Sequence, residues 1–327
     1  MKKEELRIVY MGTPEFAVAP LRKLIENHFN VVGVITMPDK PAGRGHKVQV
    51  SPVKQYALDH NLPLLQPEKL KDEAFLKELK AWNADLQIVV AFRMLPEVVW
   101  NMPPKGTFNL HASLLPQYRG AAPINWAVIN GETETGVTTF FLDKEIDTGK
   151  VIRQEKTGIF LTDTAGDVHD RLMQLGSEVV VQTVKDILND AIRPVDQSEL
   201  SADTVLKPAP KIFRDTCRID WNLPGKNIYD FIRGLSPYPA AWSEMKVDGN
   251  ERVVVKIFGS SILLQKHNNA PGTISTDGKS YLRVAVADGF IEIKSLQLPG
   301  KKRLLTEELL RGYRISSEFI MISPNEY

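Results

Sequence analysis

The 327-residue sequence predicts an α/β fold in which a doubly wound, mostly parallel sheet is followed by a small β-barrel. Strand-like apolar runs alternate with helical segments over about the first 190 residues, the pattern of a parallel sheet with helical crossovers. The periodicity then stops in a proline-containing stretch, and short strands separated by turn residues fill the last third. We therefore predict a first domain at 1–191, a linker at 192–207 and a second domain at 208–327.

Composition places the chain among soluble globular proteins, with 43% hydrophobic and 25% charged residues. Cys217 is the only cysteine, which excludes an intrachain disulfide and a cysteine-based metal cluster. No apolar signal region precedes the first strand, and no apolar run is long enough to span a membrane. We expect a cytoplasmic monomer that does not bind membranes.

The first elements form a βαβ unit. Residues 6–11 predict a buried strand, a helix begins near Pro14, and residues 31–36 predict the next strand. The turn between strand and helix reads M-G-T-P and lacks the three glycines of a dinucleotide-binding turn. NAD is therefore not an expected ligand.

A long loop follows at residues 37–52. It contains three prolines, two glycines and four basic side chains, counting His46. Arg44 lies between Gly43 and Gly45, so little bulk hinders its approach to a phosphate group. A loop of this length is typical of a functional segment, and a mobile surface loop is the alternative interpretation.

The remaining elements follow in order. The apolar and turn patterns predict helices at 52–60, 69–82, 123–130, 164–189 and 225–235, and strands at 62–65, 85–91, 107–110, 136–142, 150–156, 253–258, 261–265, 272–275, 282–287 and 289–296. Residues 206–327 carry 18 basic against 13 acidic side chains, a modest excess that suits a polyanionic partner or an ordinary solvated surface.

Asn109 and His111 are the first candidates for chemistry. Asn109 lies on the predicted 107–110 strand, and His111 follows directly after the strand, two residues later. Both side chains therefore leave the same face. Open α/β sheets bind ligands at the carboxyl ends of their strands. An amide and an imidazole there can donate hydrogen bonds to a carbonyl oxygen, while the histidine also moves a proton. A capped turn with a satisfied polar histidine is the alternative.

Asp147 is the third candidate. It lies 36 residues after His111 in the pattern D-x-x-x-D-T-G, in a loop between two predicted strands. An aspartate beside a histidine orients the ring and stabilises its cationic form. Ser113 lacks the G-x-S-x-G context of a nucleophilic serine, so the three residues suggest acyl transfer without a covalent intermediate. They form no credible metal-ligand cluster.

The chain resembles the 10-formyltetrahydrofolate-dependent formyltransferases. The likeness rests on N-L-H-A-S-L-L-P-Q-Y-R-G-A-A-P-I-N-W with D-x-x-x-D-T-G downstream, and it extends to M-G-T-P-E-F-A-V, P-D-K-P-A-G-R-G, R-I-D-W, A-P-G-T-I and G-K-K-R. It implies a Rossmann-like catalytic domain and an OB-like, tRNA-binding C-terminal barrel. It also implies direct attack of an amine on the formyl carbon of 10-formyltetrahydrofolate through a tetrahedral intermediate, without a metal.

The resemblance implies roles for individual residues. Asn109, His111 and Asp147 would be catalytic, and Ser113, Leu114, Leu115 and Pro116 would line the folate site. The acceptor would be initiator methionyl-tRNA, for which Arg44 would be a binding residue, and the product would serve translation initiation. Two alternatives remain: a formyltransferase acting on glycinamide ribonucleotide or an amino-sugar nucleotide, and a non-catalytic RNA-binding protein built on the same fold.

Overall fold

A seven-stranded sheet organises the N-terminal part of the chain in the computed structural model, which describes residues 2–42, 47–200, 205–248 and 251–324. The first nine strands are β1 (Arg7–Gly12), β2 (Asn30–Ile35), β3 (Lys40–Ala42), β4 (Lys47–Gln49), β5 (Leu64–Leu65), β6 (Leu86–Val90), β7 (Thr107–His111), β8 (Glu134–Phe141) and β9 (Val151–Gly158). The sheet has the order β5-β2-β1-β6-β7-β8-β9, and β3 and β4 form a separate two-stranded sheet.

The pairing of the strands confirms the predicted doubly wound sheet. The five strands from β5 to β7 are parallel, and β8 and β9 extend the sheet in antiparallel fashion. Every residue of β6 is buried, as expected for a parallel strand covered on both faces. The predicted 37–52 loop differs from the structure, because β3 and β4 pair as two short antiparallel strands within it.

Six helices accompany this part of the chain: α1 (Glu15–Glu26), α2 (Pro52–Asp59), α3 (Glu73–Ala81), α4 (Glu97–Trp100), α5 (Pro123–Ile129) and α6 (Ala165–Leu188). Local sequence explains two of their starts. The Ser51 hydroxyl accepts a hydrogen bond from the Lys54 amide at α2, and the Asp72 carboxylate accepts one from the Phe75 amide at α3.

Helix α6 fixes the position of β7 by a close approach. A Cβ at Gly176 would lie 2.8 Å from the Leu110 side chain, so the glycine lets the helix pack directly against the strand. On β8, the Thr139 hydroxyl is 2.8 Å from the Thr183 hydroxyl of α6. Leu110 therefore faces α6, and the alternation of the strand turns Asn109 and His111 to the other face.

An antiparallel sheet organises the C-terminal part. Its elements are α7 (Gly225–Gly234), β10 (Ala241–Lys246), β11 (Arg252–Leu263), β12 (Ile274–Thr276), β13 (Leu282–Val286), β14 (Gly289–Gln297), β15 (Leu304–Leu305), α8 (Thr306–Leu310) and β16 (Ile320–Ile322). The order is β12-β13-β14-β11-β10-β16, with β15 on β14. A bridge between Thr273 and Ile320 joins the two ends, which confirms the predicted barrel-like sheet.

The structure corrects one strand assignment. The predicted strands at 253–258 and 261–265 are a single strand, β11, that pairs with β14 on both sides of Gly259. The register shifts on both sides of Gly259, so the ladder continues through an irregularity where the sequence pattern breaks. Gly259 marks a bend in one strand instead of a turn between two.

The R-I-D-W motif belongs to the core of this C-terminal part. Trp221 is fully buried, and its indole N–H donates a hydrogen bond to the Ser243 hydroxyl at 2.9 Å. Ile219 is also buried, while the Arg218 guanidinium lies against Glu244 and over the Trp242 ring. The motif thus anchors the chain that enters the barrel.

The chain packs into two compact units. One comprises residues 1–120, 134–158 and 169–208, and the other comprises 121–133, 159–168 and 209–327. Each unit therefore includes segments from more than one stretch of sequence. Among the described residues, no helix is both long enough and apolar enough to cross a membrane.

We predict that Trp221→Ala destabilises the C-terminal unit by about 3–5 kcal/mol, because it leaves a large cavity and removes the donor to Ser243. Urea unfolding followed by circular dichroism measures this loss. Trp242→Ala is the matched control, since the Trp242 ring is only half-buried, and its loss should be clearly smaller. Equal losses would contradict the anchoring role of Trp221.

Candidate active site

The carboxyl end of β7 presents the two predicted polar residues together. Asn109 pairs in register with Val89 of β6 and with Phe140 of β8, so it lies in the interior of the sheet. His111 is the last residue of the strand. The structure places both on one face at the edge where α/β sheets bind ligands.

His111 is buried, with 6% of the residue exposed, and both ring nitrogens have defined surroundings. Nε2 lies 2.9 Å from the backbone carbonyl oxygen of Tyr118. Because a carbonyl oxygen only accepts hydrogen bonds, Nε2 must carry a proton. Nδ1 faces Asp147 Oδ2 at 3.8 Å, longer than a direct hydrogen bond, so the carboxylate acts on the ring through its charge.

Asp147 therefore joins the other two candidates, and its loop has special backbone geometry. Asp147 has φ of 57°, and its Oδ2 accepts a hydrogen bond from the Gly120 amide at 3.0 Å. A Cβ at Gly149 would lie 1.7 Å from the Phe141 carbonyl oxygen, which explains the glycine of the D-T-G pattern. The carboxylate is held beside His111 by backbone contacts.

A buried glutamine outside the predicted site residues also holds this loop. The Gln197 Nε2 donates to the carbonyl oxygens of Asp147 and Gly149, each at 2.9 Å, and Gln197 Oε1 accepts two hydrogen bonds from the Arg119 guanidinium. Residue 197 lies in the predicted linker, where the sequence has no periodicity. Sequence reasoning did not bring these two residues together, because Gln197 belongs to no chemical motif and Arg119, although it lies in the N-L-H-A-S-L-L-P-Q-Y-R-G stretch, carries no local sign of its partner.

Within the described ranges, the side-chain amide oxygen of Asn109 is free to accept a hydrogen bond. Its Oδ1 is buried and has no hydrogen-bond partner among the residues that the structure describes. A buried amide oxygen without a partner is costly, since the desolvation of that atom is not offset. The atom is therefore suited to accept a hydrogen bond from a ligand that reaches the end of β7.

The loop after β7 carries the four predicted folate-lining residues. Ser113, Leu115 and Pro116 are buried, and Leu114 is half-buried. The Ser113 hydroxyl donates to the Gln117 carbonyl oxygen, and Leu115 packs in a small core with Phe140. These side chains support the loop from inside, so its backbone and Leu114 are the parts left to face a ligand.

Thr138 of β8 fixes the backbone of this loop. Its hydroxyl donates to the Ser113 carbonyl oxygen at 2.6 Å and accepts from the Leu115 amide at 3.1 Å. The Gln154 amide donates to both the Leu115 carbonyl oxygen and the Thr138 hydroxyl. The loop position thus depends on side chains of the two antiparallel strands.

Left-handed backbone conformations surround the site. Ala91, immediately after β6, has φ of 47°, and Tyr118, whose carbonyl oxygen contacts His111, has φ of 60°. With Asp147, three residues that carry a Cβ adopt this costly conformation at the same end of the sheet. Such concentrations are typical of functional sites, where the surrounding structure holds the backbone in place.

Arg44 lies outside the described residues, whereas the structure does describe the residues at the base of its loop. Asp39 accepts hydrogen bonds from Lys54 and Gln66, and these two groups hold the pKa of the Asp39 carboxyl below its usual range. The Gln66 amide also donates to the Met37 carbonyl oxygen at 2.9 Å. Across the described ranges, no group of three or more His, Cys, Asp or Glu could hold a metal ion.

Comparisons with known proteins identify the relatives of the chain. The family model "Formyl transferase" matches residues 6–184, and "Formyl transferase, C-terminal domain" matches residues 211–314. Proteins named methionyl-tRNA formyltransferase from Bacteroides thetaiotaomicron and Bacteroides fragilis are each 68% identical over 321 residues. They cover 98% of this chain and 100% and 99% of their own lengths, respectively.

A solved structure has the same fold at low sequence identity. The sugar 3N-formyl transferase WlaRD, determined in the presence of dTDP and 5-N-formyl-THF, superposes with a TM-score of 0.64 at 21% identity. The alignment covers 91% of this chain and 99% of that one.

We predict that Thr138→Val loosens the loop after β7. Valine has nearly the shape of threonine but leaves the Ser113 carbonyl and Leu115 amide without their partner, which costs about 1–3 kcal/mol. Hydrogen exchange of the Leu115 amide should accelerate. Thr139→Val is the matched control, because this neighbour is equally buried but bonds to Thr183 on α6. Unchanged Leu115 exchange in Thr138→Val would contradict the assignment.

Proposed function

The chain belongs to the formyl transferase family, and on that premise we propose that Asn109, His111 and Asp147 are its catalytic residues. The enzyme transfers the formyl group of 10-formyltetrahydrofolate to the α-amino group of methionine on initiator methionyl-tRNA, for translation initiation. The observation that carries our proposal is the unpaired Asn109 Oδ1 on the same strand face as the His111–Asp147 pair, among the residues that the structure describes.

Asn109 and His111 stabilise the charge that develops during transfer. When the amine attacks the formyl carbon, a C–N bond forms and negative charge builds on the formyl oxygen. The Asn109 Nδ2 group donates a hydrogen bond to that oxygen, while Oδ1 accepts one from the attacking amine. His111 contributes through Nδ1, since Nε2 is already engaged by the Tyr118 carbonyl.

Asp147 completes the site through its charge. It faces His111 Nδ1 at 3.8 Å and draws a proton from the amine as the new bond forms, directly or through water. The incoming α-amino group has an ordinary pKa of about 8, so a substantial fraction is already nucleophilic near neutral pH. When the tetrahedral intermediate collapses, the C=O bond re-forms, the bond between the formyl carbon and the folate nitrogen breaks, and the proton passes to that departing nitrogen. Neither a covalent enzyme intermediate nor a metal is required.

The residues at the end of β7 fit a folate. The Asn109 Oδ1 offers an acceptor, and the Thr138-supported loop gives a fixed backbone beside it. We propose that residues 113–116 line the folate site mainly through their backbone and the half-buried Leu114. When bound there, the folate supplies the activated formyl group.

We further propose that the C-terminal barrel and the Arg44 loop bind tRNA. Lys301, Lys302 and Arg303 are exposed and adjacent, and they form the densest basic run of the chain. The Arg303 guanidinium lies over the Phe258 ring at 4.6 Å and donates to the Ser295 hydroxyl, which restrains one of the three charges. Small barrels are common nucleic-acid platforms, and basic side chains bind phosphates there.

We also propose that the enzyme works in the cytoplasm as a monomer. The single cysteine supports a reducing compartment, because Cys217 is a free thiol and the chain holds no second cysteine with which it could form an intrachain disulfide. Size-exclusion chromatography with light scattering would test the oligomeric state, and fractionation of cells would test the location.

We predict that Asn109→Ala and His111→Ala each lower kcat by about 100–1,000-fold, with much smaller changes in KM, because the oxyanion exists only in the transition state. Asp147→Asn should be nearly as damaging, since it keeps the size of the side chain and removes its charge. Labelled formyl transfer from 10-formyltetrahydrofolate to charged initiator tRNA measures these losses.

Glu145→Gln is the control for Asp147→Asn, because replacing the exposed Glu145 removes a charge from the same loop away from His111. It should retain normal turnover. A well-folded His111→Ala enzyme with near-normal kcat would refute the assignment of His111. Faster transfer to glycinamide ribonucleotide or an amino-sugar nucleotide than to the charged tRNA would refute the acceptor.

We predict that replacing Lys301, Lys302 and Arg303 together by alanine flattens the salt dependence of tRNA binding. Each neutralised phosphate releases counterions, so the slope of log affinity against log salt should fall by about one for each phosphate that the variant no longer binds. Filter binding at several salt concentrations measures the slope. An unchanged slope would mean that this run is only a solvated turn.

Arg44→Ala separates the two substrates. It should impair transfer to charged tRNA far more than tRNA-independent hydrolysis of the formyl donor, because the guanidinium is proposed to contact the tRNA. Parallel assays of the two reactions measure this difference. Equal losses in both would assign the 37–52 loop to the folate site.

A further inference from the structure

Both polar atoms of the Gln197 side-chain amide make hydrogen bonds to loops around the site. Only 3% of the residue is exposed. Nε2 donates to the carbonyl oxygens of Asp147 and Gly149 at 2.9 Å, and Oε1 accepts from Nε and Nη2 of Arg119 at 2.9 and 2.6 Å. The amide is thus bonded to two loops at once.

These hydrogen bonds close a ring around the catalytic carboxylate. Arg119 precedes Gly120, whose amide donates to Asp147 Oδ2 at 3.0 Å. One loop therefore binds the carboxylate directly through Gly120, and the same loop is joined through Arg119 and Gln197 to the Asp147 backbone. Both loops therefore contribute contacts that hold Asp147 beside His111.

We propose that Gln197 is a positioning residue that sets the place of Asp147 for catalysis. The proposal rests on the catalytic role proposed above for Asp147. Gln197 acts through Asp147 and touches neither the formyl group nor the amine. Its amide suits this role because it supplies a donor group and an acceptor in one side chain, which a carboxylate or an aliphatic chain cannot do.

The surrounding backbone argues against a merely structural function for Gln197. Val195, two residues earlier, exchanges two backbone hydrogen bonds of 2.9 Å with Val151 of β9. This bridge already fastens the segment to the sheet. The Gln197 side chain is therefore not needed to attach the segment, and its four hydrogen bonds all go to the Arg119 side chain and the Asp147 loop.

Gln197→Leu tests the proposal because it keeps the bulk of the side chain and removes all four hydrogen bonds. A displacement of about 1 Å at the catalytic carboxylate should lower kcat by roughly 10–100-fold. The KM values for the folate and for the charged tRNA should stay nearly constant, since ground-state binding does not require Asp147. Single-turnover formyl transfer and steady-state kinetics measure both quantities.

The decisive measurement repeats the substitution in an Asp147→Asn background. If Gln197 acts through the Asp147 carboxylate, the second substitution should change kcat there by less than about twofold. If Gln197 merely supports the fold, it should cost the same factor in both backgrounds. An equal loss in the two backgrounds, or no loss in the otherwise unchanged enzyme, would overturn the positioning role.

Two further variants guard against misfolding. Gln87→Leu is the matched control: Gln87 is a fully buried glutamine at the opposite end of the sheet, bonded to the Thr107 hydroxyl, and its loss should leave kcat unchanged. If Gln197→Leu does not fold, Gln197→Glu keeps the size of the side chain and the acceptor for Arg119 but removes both donor bonds. It should show the same non-additivity with Asp147→Asn.

The outcomes distinguish this inference from the proposed function. Full activity of Asp147→Asn alone would refute the catalytic role of Asp147 and, with it, the positioning role. An impaired Asp147→Asn enzyme combined with an additive effect of Gln197→Leu would refute the positioning role only. The catalytic assignment of Asn109, His111 and Asp147 would then stand.

Discussion

The geometry of the site depends on one short loop that bonds to both titratable side chains. The Tyr118 carbonyl oxygen accepts a hydrogen bond from His111 Nε2, and the Gly120 amide donates to Asp147 Oδ2. The Tyr118 carbonyl and the Gly120 amide are only two residues apart in sequence. Together they orient the His111 imidazole, at the end of β7, and the Asp147 carboxylate, in a different loop. The left-handed conformation of Tyr118 turns its carbonyl group toward the ring, and the cost of that conformation is offset by these contacts.

The rest of the sheet serves to hold this loop still. Thr138 of β8 and Gln154 of β9 donate hydrogen bonds to the backbone of this loop, while Leu115 packs in a small core against Phe140. Packing of α6 against β7 at Gly176 fixes the strand from the other face. Preorganised donors stabilise a developing charge without moving, so this rigidity contributes directly to the proposed catalysis.

The buried polar groups of the site differ in whether they have hydrogen-bond partners within the described residues. The buried hydroxyls of Ser113 and Thr138 and the amide of Gln197 all have partners within the chain. Asn109 Oδ1 has none among the described residues. A native structure tolerates such an atom where a ligand supplies the missing bond, and our proposed assignment of the site rests on this amide.

Sequence alone determined the fold class and the three candidate residues, because both depend on local patterns. Alternation of apolar runs and helical segments predicts the parallel sheet, and the spacing of two places Asn109 and His111 on one face. The reason for the D-T-G glycine came only from the structure, which leaves no room for a Cβ at Gly149. The R-I-D-W motif was part of the resemblance, and only the structure showed that Trp221 is a core anchor.

Tertiary structure alone decided which distant groups meet. Gln197 and Arg119 are 78 residues apart, and neither periodicity nor spacing indicates that their side chains meet. The continuity of β11 through Gly259 was equally hidden, because a glycine weakens the strand pattern and only pairing with β14 shows that the ladder continues. Local sequence encodes which face a side chain leaves, whereas contacts between segments far apart in the chain depend on the packing of the whole sheet.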